Sequence, residues 1–321
     1  MRDWKLSETI PQFDRIRSLP KQRVPKNIFI LFLLALAYWL ATQFGSVIVL
    51  MPVIVFNTLK GQSLDLNSPD KMWIMLYLTV ISILINILIY KLIERRTART
   101  MGLTGHRCVP DYLTGAALGL AMFSAVVGMN YAAGAVRVSN AADTERSILM
   151  MIVIFAGWMI QGFSEEFAFR GFMMMSAGTY KKPWIAVIFS AIMFGAAHIG
   201  NSGATVTGVL NVALFGIVMS LYMLRTDSIW GPAALHTVWN WAQGSFFGLK
   251  VSGMDFGPSV LHFEQTDHAA WMNGGSFGLE GGLGTTAILV VVGLILLFLV
   301  PQRKTEYPAA AETAATETAA A

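Results

Sequence analysis

Residues 147–176 read SILMMIVIFAGWMIQGFSEEFAFRGFMMMS, a stretch in which only Glu165, Glu166 and Arg170 carry a formal charge. A helix needs about 20 mostly apolar residues to cross the hydrocarbon core of a bilayer. This stretch is long enough to span a membrane and also to tilt or protrude. Because ionisable groups at membrane depth are costly and usually mark paired or functional sites, the stretch predicts a membrane protein with a polar site inside the bilayer.

The composition of the whole chain agrees with this prediction. Of its 321 residues, 55% are apolar and 13% are charged, whereas soluble domains carry about 25% charged residues. The mean hydropathy is +0.57. The chain has eight apolar runs, one of which is residues 147–176. We therefore expect an all-α polytopic transmembrane bundle of about eight membrane-spanning helices. The runs lie at about 28–56, 72–90, 111–136, 147–176, 183–199, 205–224, 229–249 and 285–301.

The distribution of basic residues predicts the orientation. An even number of spans puts both termini on one side, and the segments on that side hold 17 of the lysines and arginines, against five on the other side. By the positive-inside rule both termini are cytoplasmic. The net charge of +4 then reflects this asymmetry, and no nucleic-acid partner is expected. We expect a multi-pass protein of a bacterial cell membrane whose surroundings are the lipid bilayer.

The chain divides into three parts by composition. Residues 1–27 form a cytoplasmic amino-terminal arm, residues 28–301 the membrane domain, and residues 302–321 an Ala/Thr/Glu tract that we expect to be disordered. The glycine-rich connection 250–284 carries four acidic residues and predicts a flexible external segment. The single cysteine, Cys108, excludes an intramolecular disulfide. The sequence does not indicate an oligomeric state.

The two adjacent glutamates of the fourth span have different predicted tasks. Glu166 and Arg170 are four residues apart, so they share a helix face and can pair. Glu165 is turned away from that face by about 100°. Pairing with Arg170 would keep Glu166 ionised and structural, which leaves Glu165 free to act as a general base.

Two histidines complete the set of polar residues inside spans. Phe194 and His198 form a Phe-x-x-x-His pattern, and His236 and Asn240 form His-x-x-x-Asn. The latter spacing points imidazole and amide the same way, so both could donate to one developing oxyanion. A three-ligand catalytic zinc site of Glu165, His198 and His236 is the alternative, although the chain has no His-Glu-x-x-His pattern.

The predicted depths of these residues disagree. Glu165 and His198 are each 16 residues from the turn at Lys181 and Lys182, which places them at one level of an antiparallel hairpin. That level is about 24 Å from the turn, but His236 is only about ten residues, or about 15 Å, past the next turn. Either the hairpin projects from the membrane or the predicted boundaries are displaced.

The three patterns Glu-Glu-x-x-x-Arg, Phe-x-x-x-His and His-x-x-x-Asn, in this order on successive spans, resemble the CPBP family of CAAX proteases and bacteriocin-processing enzymes. The resemblance covers about residues 111–249. It implies an intramembrane glutamic endopeptidase, acting without a cofactor on a membrane-associated peptide or protein, such as a CAAX-type or leader-bearing peptide. It also implies that Glu165 and His198 activate water, that His236 and Asn240 form the oxyanion hole, and that Glu166, Arg170 and Phe194 shape the site.

Two other functions remain open at this point. The family is also linked to bacteriocin self-immunity and to scaffolding of membrane proteins, which would use the same fold without cleavage. A proton-coupled transporter would use buried carboxylates as a relay. The intact patterns argue against an inactive scaffold, and no inverted repeat supports a transporter.

Overall fold

The computed structural model describes residues 10–62, 65–66, 68–69, 71–139 and 148–303. Most of the tail predicted to be disordered lies outside the described residues, as do the first nine residues of the amino-terminal arm. The described part of the arm contains the short helix α1, Pro11–Ser18.

Eight apolar helices follow α1, one for each predicted run. They are α2 Ile28–Leu59, α3 Met72–Ile93, α4 Cys108–Ala132, α5 Ile148–Gly178, α6 Pro183–Ala197, α7 Val206–Thr226, α8 Trp230–Trp241 and α9 Leu283–Phe298. Among the described residues, α2, α3, α4, α5 and α7 are long and apolar enough to cross a membrane, and α6 and α9 are shorter. This confirms the helical, polytopic fold class, while the number of spans stays a prediction.

The apolar surface of the outer helices has no partner within the protein. On α2, Phe44 is 66% exposed and Ile48 is 70% exposed. In water, apolar surface of this extent would be unfavourable, whereas lipid tails contact it without cost. The helices α7 and α8 lie at the centre, where nearly every residue of α8 is buried.

Glycines bring α8 into backbone contact with its neighbours. A methyl group at Gly115 of α4 would lie 2.0 Å from the carbonyl oxygen of Gly231, and one at Gly119 would lie 2.5 Å from that of Leu235. Close approach through small residues is typical of membrane helices. These two glycines therefore hold α4 and α8 together along their length.

The end of the bundle that carries α1 and Arg303, here called the terminal end, has a folded cover. Phe13 of α1 is fully buried, and the side-chain amide of Gln12 donates to the Leu224 carbonyl at 3.0 Å. Arg15 forms an ion pair with Asp227. At the other described end of the chain, Arg303 donates to both carboxylate oxygens of Asp111 at 2.8 and 2.9 Å. Both described chain ends thus lie at one end of the bundle.

This cover explains the depth of His236. The turn between α7 and α8 is buried, since Asp227 is 5% exposed and Ile229 is fully covered. The indole of Trp230, the first residue of α8, donates to the Thr104 carbonyl at 2.8 Å. The helix α8 therefore begins inside the protein, and a position few residues along it already lies deep in the bundle.

At the opposite end, residues 247–282 form a folded cap, here called the far-end cap. Its strand β2, Phe263–Gln265, pairs antiparallel with β1, Val136–Val138, which follows α4. The side chain of Asn211 on α7 donates to two backbone carbonyls of the cap, at 2.8 and 2.9 Å. Phe277 is fully buried. The prediction of a flexible segment was wrong, because buried apolar side chains and amide hydrogen bonds hold these glycine-rich turns in place.

Candidate active site

A cavity of about 310 Å³ lies under the far-end cap, with walls from α2, α3 and α5 to α9. The four residues predicted to be catalytic, Glu165, His198, His236 and Asn240, all line it. Phe194 lines it as well, whereas Glu166 and Arg170 lie behind its wall and are fully buried. Three separate sequence patterns thus meet at one cavity.

The two glutamates present different faces to this space. The side chain of Glu165 is 25% exposed and that of Glu166 is fully buried. Residues Phe167–Met174, which follow directly, form a π-helical segment. Such segments are rare and frequently occur at functional sites, because the wider turn changes the direction of the following side chains.

Glu166 holds two partners with a single oxygen. Its Oε1 accepts from Arg170 Nη1 at 3.1 Å and from His236 Nδ1 at 2.8 Å. A carboxylate oxygen accepts, so the hydrogen of a neutral His236 lies on Nδ1 and Nε2 carries the lone pair. That Nε2 lies 3.7 Å from Glu165 Oε2. Glu166 is thus the partner of His236 as well as of Arg170, which the spacing alone did not indicate.

His198 is oriented by its own helix. It follows the last residue of α6, and its Nδ1 donates to the Phe194 carbonyl at 2.9 Å. Because a carbonyl can only accept, Nε2 of a neutral His198 is an acceptor. His198 and Glu165 line the same cavity, and no direct hydrogen bond joins them in the part of the chain that the structure describes.

Phe194 connects the buried arginine to both histidines. The Arg170 guanidinium lies over the Phe194 ring, 4.4 Å from its centroid. The Phe194 ring forms T-shaped contacts with both imidazoles, with centroid distances of 4.9 Å to His198 and 5.9 Å to His236. A cation over an aromatic face is stabilised by the ring quadrupole, so Phe194 both partners Arg170 and fixes the imidazole planes.

Gln161 and Glu280 are among the residues that line the cavity without having been predicted from the sequence. Gln161 lies one helical turn before Glu165 and accepts from Asn240 Nδ2 at 3.1 Å through its side-chain oxygen. Glu280 of the far-end cap accepts from the Ser252 backbone at 2.8 Å and from the Trp239 indole at 3.3 Å. The four-residue spacing from Glu165 could have indicated Gln161, but no local pattern marks Glu280.

The charge of the cavity is negative. Its lining includes Glu165 and Glu280, and no lysine or arginine is among the described residues that line it. The positive charge of Arg170 lies behind the wall, where Glu166 pairs with it. A carboxylate entering this space would therefore meet like charge without a balancing cation.

The arrangement does not resemble a metal site. Across residues 10–139 and 148–303, as far as they are described, no three His, Cys, Asp or Glu side chains converge on a common point. The zinc alternative, with Glu165, His198 and His236 as ligands, therefore gains no support from this geometry.

Comparison with known proteins agrees with the site. Residues 147–242, which run from the start of α5 to the end of α8 and contain all three patterns, match the model of one family, described as type II CAAX prenyl endopeptidase Rce1-like. No curated protein and no solved structure matches the chain. Through residues 147–242 the chain is thus similar to the Rce1-like type II CAAX prenyl endopeptidases of the CPBP family.

Proposed function

We propose that the protein is an intramembrane endopeptidase that hydrolyses a peptide bond of a membrane-associated substrate. The observation that carries the proposal is the position of Glu165. Its carboxylate faces the cavity, and its Oε2 has no hydrogen-bond partner in the described structure although it is buried. A buried carboxylate oxygen that accepts no hydrogen bond is suited to take a proton from water. The family match supports proteolysis as the activity.

The first step would be activation of water by Glu165 and His198. The Glu165 carboxylate and Nε2 of a neutral His198 are both acceptors, so a water molecule between them is oriented by its two hydrogens. Its oxygen forms a bond to the carbonyl carbon of the substrate while its proton passes to Glu165. The electron pair of the C=O π bond moves to the carbonyl oxygen, which becomes an oxyanion.

The second step would be collapse of this intermediate. The C–N bond breaks, Glu165 returns its proton to the leaving nitrogen, and a carboxylic acid and an amine result. Asn240 Nδ2 is a donor beside the cavity and stabilises the oxyanion. His236 can do the same only as an imidazolium, since its Nδ1–H is given to Glu166.

Glu166, Arg170 and Phe194 would keep the acceptors in place. Glu166 fixes the His236 ring, Arg170 balances the charge of Glu166, and Phe194 packs against both imidazoles. We further propose a bacterial cell membrane with both termini in the cytoplasm, and a CAAX-type or leader-bearing peptide as substrate. No cofactor takes part in this scheme.

The test uses full-length protein in lipid nanodiscs and a set of internally quenched peptides, one farnesylated at a CAAX cysteine and others carrying an unmodified leader sequence. We expect wild type to cleave at least one peptide. Glu165→Gln should reduce its rate by about 10³-fold, and His198→Ala by a similar factor, since general bases contribute about 10²–10⁴. Gln62→Met, a substitution at an exposed glutamine outside the cavity, is the control.

Two outcomes would count against the proposal: wild type that cleaves none of the peptides, or Glu165→Gln that cleaves as fast as wild type. The first outcome favours the scaffold or self-immunity alternative. Repeating the assay after exhaustive chelation separates the mechanisms, because a glutamic protease keeps its rate and a zinc protease loses it.

A further inference from the structure

The hydrogen-bond arrangement of His236 leaves a gap in the oxyanion hole. Acyl-transfer enzymes stabilise the oxyanion with preorganised donors, and loss of one donor costs about 10²–10³ in kcat. A neutral His236 presents a lone pair at Nε2, because Glu166 takes the hydrogen at Nδ1. In that form His236 accepts, and among the residues of the three patterns that line the cavity only Asn240 remains as a side-chain donor to it.

We propose that Gln161 supplies the second donor and is a catalytic residue of this protease. Its side-chain amide would donate one hydrogen bond to the oxyanion, beside that of Asn240. The inference rests on the proposed function. It adds a residue that lies outside the three sequence patterns, one helical turn before Glu165 on the same face of α5.

The contact between the two amides places both donors together. Asn240 Nδ2 donates to Gln161 Oε1 at 3.1 Å, and both side chains line the cavity. Each primary amide has two N–H groups. With Asn240 as the donor of this hydrogen bond, both N–H groups of the Gln161 amide and one of the Asn240 amide stay available to the oxyanion. In the reverse arrangement Asn240 keeps two and Gln161 keeps one, so each residue retains a donor in either case.

The helices that carry the two amides are held at a fixed separation. A methyl group at Gly162, next to Gln161, would lie 2.6 Å from Thr237 Oγ1 and 2.8 Å from the Thr237 backbone nitrogen. The backbones of α5 and α8 are therefore in contact beside the amide pair. Asn240 itself is only 5% exposed. Donors on rigid, contacting helices are preorganised, which is the condition for strong stabilisation of a developing charge.

The proposal also divides the site into two sides. Glu165 and Nε2 of both histidines are acceptors and handle the proton of the water. Gln161 and Asn240 are donors and receive the oxyanion. With these two donors, the oxyanion hole does not require a protonated His236. The Nε2 atom of neutral His236 can stay an acceptor, 3.7 Å from Glu165 Oε2.

Two variants of Gln161 separate donation from packing. Gln161→Glu keeps the oxygen that accepts from Asn240 but has no donor when ionised, and Gln161→Met keeps the shape without charge. With the peptide that wild type cleaves, we expect both to lower kcat by about 10²-fold, with KM within about threefold of wild type, since this bond is made only in the transition state. Gln62→Met, the same change at an exposed glutamine outside the cavity, should retain the wild-type kcat.

Binding of a transition-state mimic gives a readout that a purely structural role would not move. A peptide aldehyde of the cleaved sequence, which binds as a tetrahedral hydrate, should lose about tenfold or more in affinity for Gln161→Met. The matched peptide amide should bind both proteins equally. The melting temperature of each variant shows whether the protein is folded.

The proposal is overturned if folded Gln161→Met and Gln161→Glu keep the kcat of Gln62→Met, or if only KM rises. It is also overturned if Asn240→Ala loses kcat while both Gln161 variants do not, because Asn240 would then be the sole amide donor. Absence of cleavage by wild type is a separate result, which refutes the proposed function itself.

Discussion

Two buried clusters of the same chemistry differ in how completely they are hydrogen bonded. At the terminal end, the closed cluster joins Glu94, Arg96 and Ser176, and at the cavity the open cluster joins Glu165, Glu166, Arg170 and His236. In each cluster an arginine and a glutamate pair with no exposure of either side chain. The two clusters therefore start from the same desolvation cost.

The closed cluster uses every polar side-chain atom. Arg96 donates to Glu94 at 2.9 Å, to Ser176 at 2.7 Å, and to the backbone carbonyls of Thr100 at 2.7 Å and Gly171 at 3.0 Å. Ser176 donates to both oxygens of Glu94. Burial lowers the pKa of Arg96, and the neighbouring Glu94 charge opposes that shift. This cluster ties the loop after α3 to the end of α5.

The open cluster leaves several of its polar atoms without partners. In the described structure, Glu165 Oε2, Glu166 Oε2, and Arg170 Nε and Nη2 are buried and accept or donate no hydrogen bond. A buried polar atom without a partner costs about 1–3 kcal/mol. The fold thus completes one cluster and not the other, and the incomplete cluster lies at the cavity where we propose that substrate and water react.

Breaking the closed cluster should have the largest effect on stability. Arg96→Met leaves the Glu94 carboxylate buried without its cation, and we expect a loss of about 3–5 kcal/mol in unfolding by denaturant in mixed micelles. The control is Arg95→Met, the adjacent exposed arginine. Equal stability of the two variants would show that the closed cluster is not structural.

Separating α5 from α8 should damage the open cluster. At Gly162→Ala, the new methyl group meets Thr237 at 2.6 to 2.8 Å, which pushes Glu166 away from His236. We expect a loss of about 1–3 kcal/mol in stability, and about 10²-fold in cleavage rate, since a displacement of about 1 Å can cost that much. At Gly128→Ala, where the methyl group meets nothing within 4 Å, rate and stability should stay at wild-type values. A normal rate for Gly162→Ala would refute the packing argument.

The uncompensated charge of the cavity should select among substrates. Glu165 and Glu280 line it without a described lysine or arginine, so a free carboxylate near the scissile bond is repelled. Of the two proposed substrate classes, this disfavours a CAAX-type peptide, whose carboxyl terminus lies close to the scissile bond, relative to a leader-bearing peptide. We expect kcat/KM to be about tenfold higher for a peptide with an amidated carboxyl terminus than for the same peptide with a free one. This factor corresponds to the repulsion between like charges at an effective dielectric constant of about 20. Glu280→Gln should reduce that ratio. Preference for the acid would contradict the assigned charge.

Tyr180 should report the charge of the closed cluster, with the smallest effect. Burial and the Glu94 charge raise the pKa of Tyr180 to about 12. Because the pKa is above the ordinary value of 10.0, the folded state favours the neutral phenol, and the resulting stability is lost as the pH rises from about 10 to about 12. Glu94→Gln should lower the pKa of Tyr180. The measurement is a pH titration of tyrosinate absorbance, in which the signal that is lost in Tyr180→Phe belongs to Tyr180. An unchanged titration would mean that Glu94 carries no charge there.

Much of the open cluster was predictable from the sequence. Hydropathy located all eight helices, and the four-residue spacing predicted the ion pair of Glu166 and Arg170. These are local properties, since a helix of 3.6 residues per turn places such pairs side by side. The contact of Glu166 with His236 was not predictable, because it depends on where α8 begins. That depth is set by the buried turn at Asp227, which α1 covers.

The closed cluster was not predicted at all. Glu94 and Arg96 occur in a basic segment that reads as an exposed loop, and only the packing of α1 and of the end of α5 buries them. The far-end cap was missed for the same reason. Its many glycines indicate turns, but the pairing of β2 with β1 joins residues more than 120 positions apart, and no local pattern reveals such a contact.

The most direct test of the account compares Glu94→Gln with Glu165→Gln, the same change in the two clusters, with unfolding and cleavage measured on each protein. We expect Glu94→Gln to lose about 3–5 kcal/mol of stability, while the folded fraction keeps a cleavage rate within about threefold of wild type. We expect Glu165→Gln to be as stable as wild type and to lose about 10³-fold in rate. The account is contradicted if Glu165→Gln unfolds like Glu94→Gln, or if it cleaves at the wild-type rate.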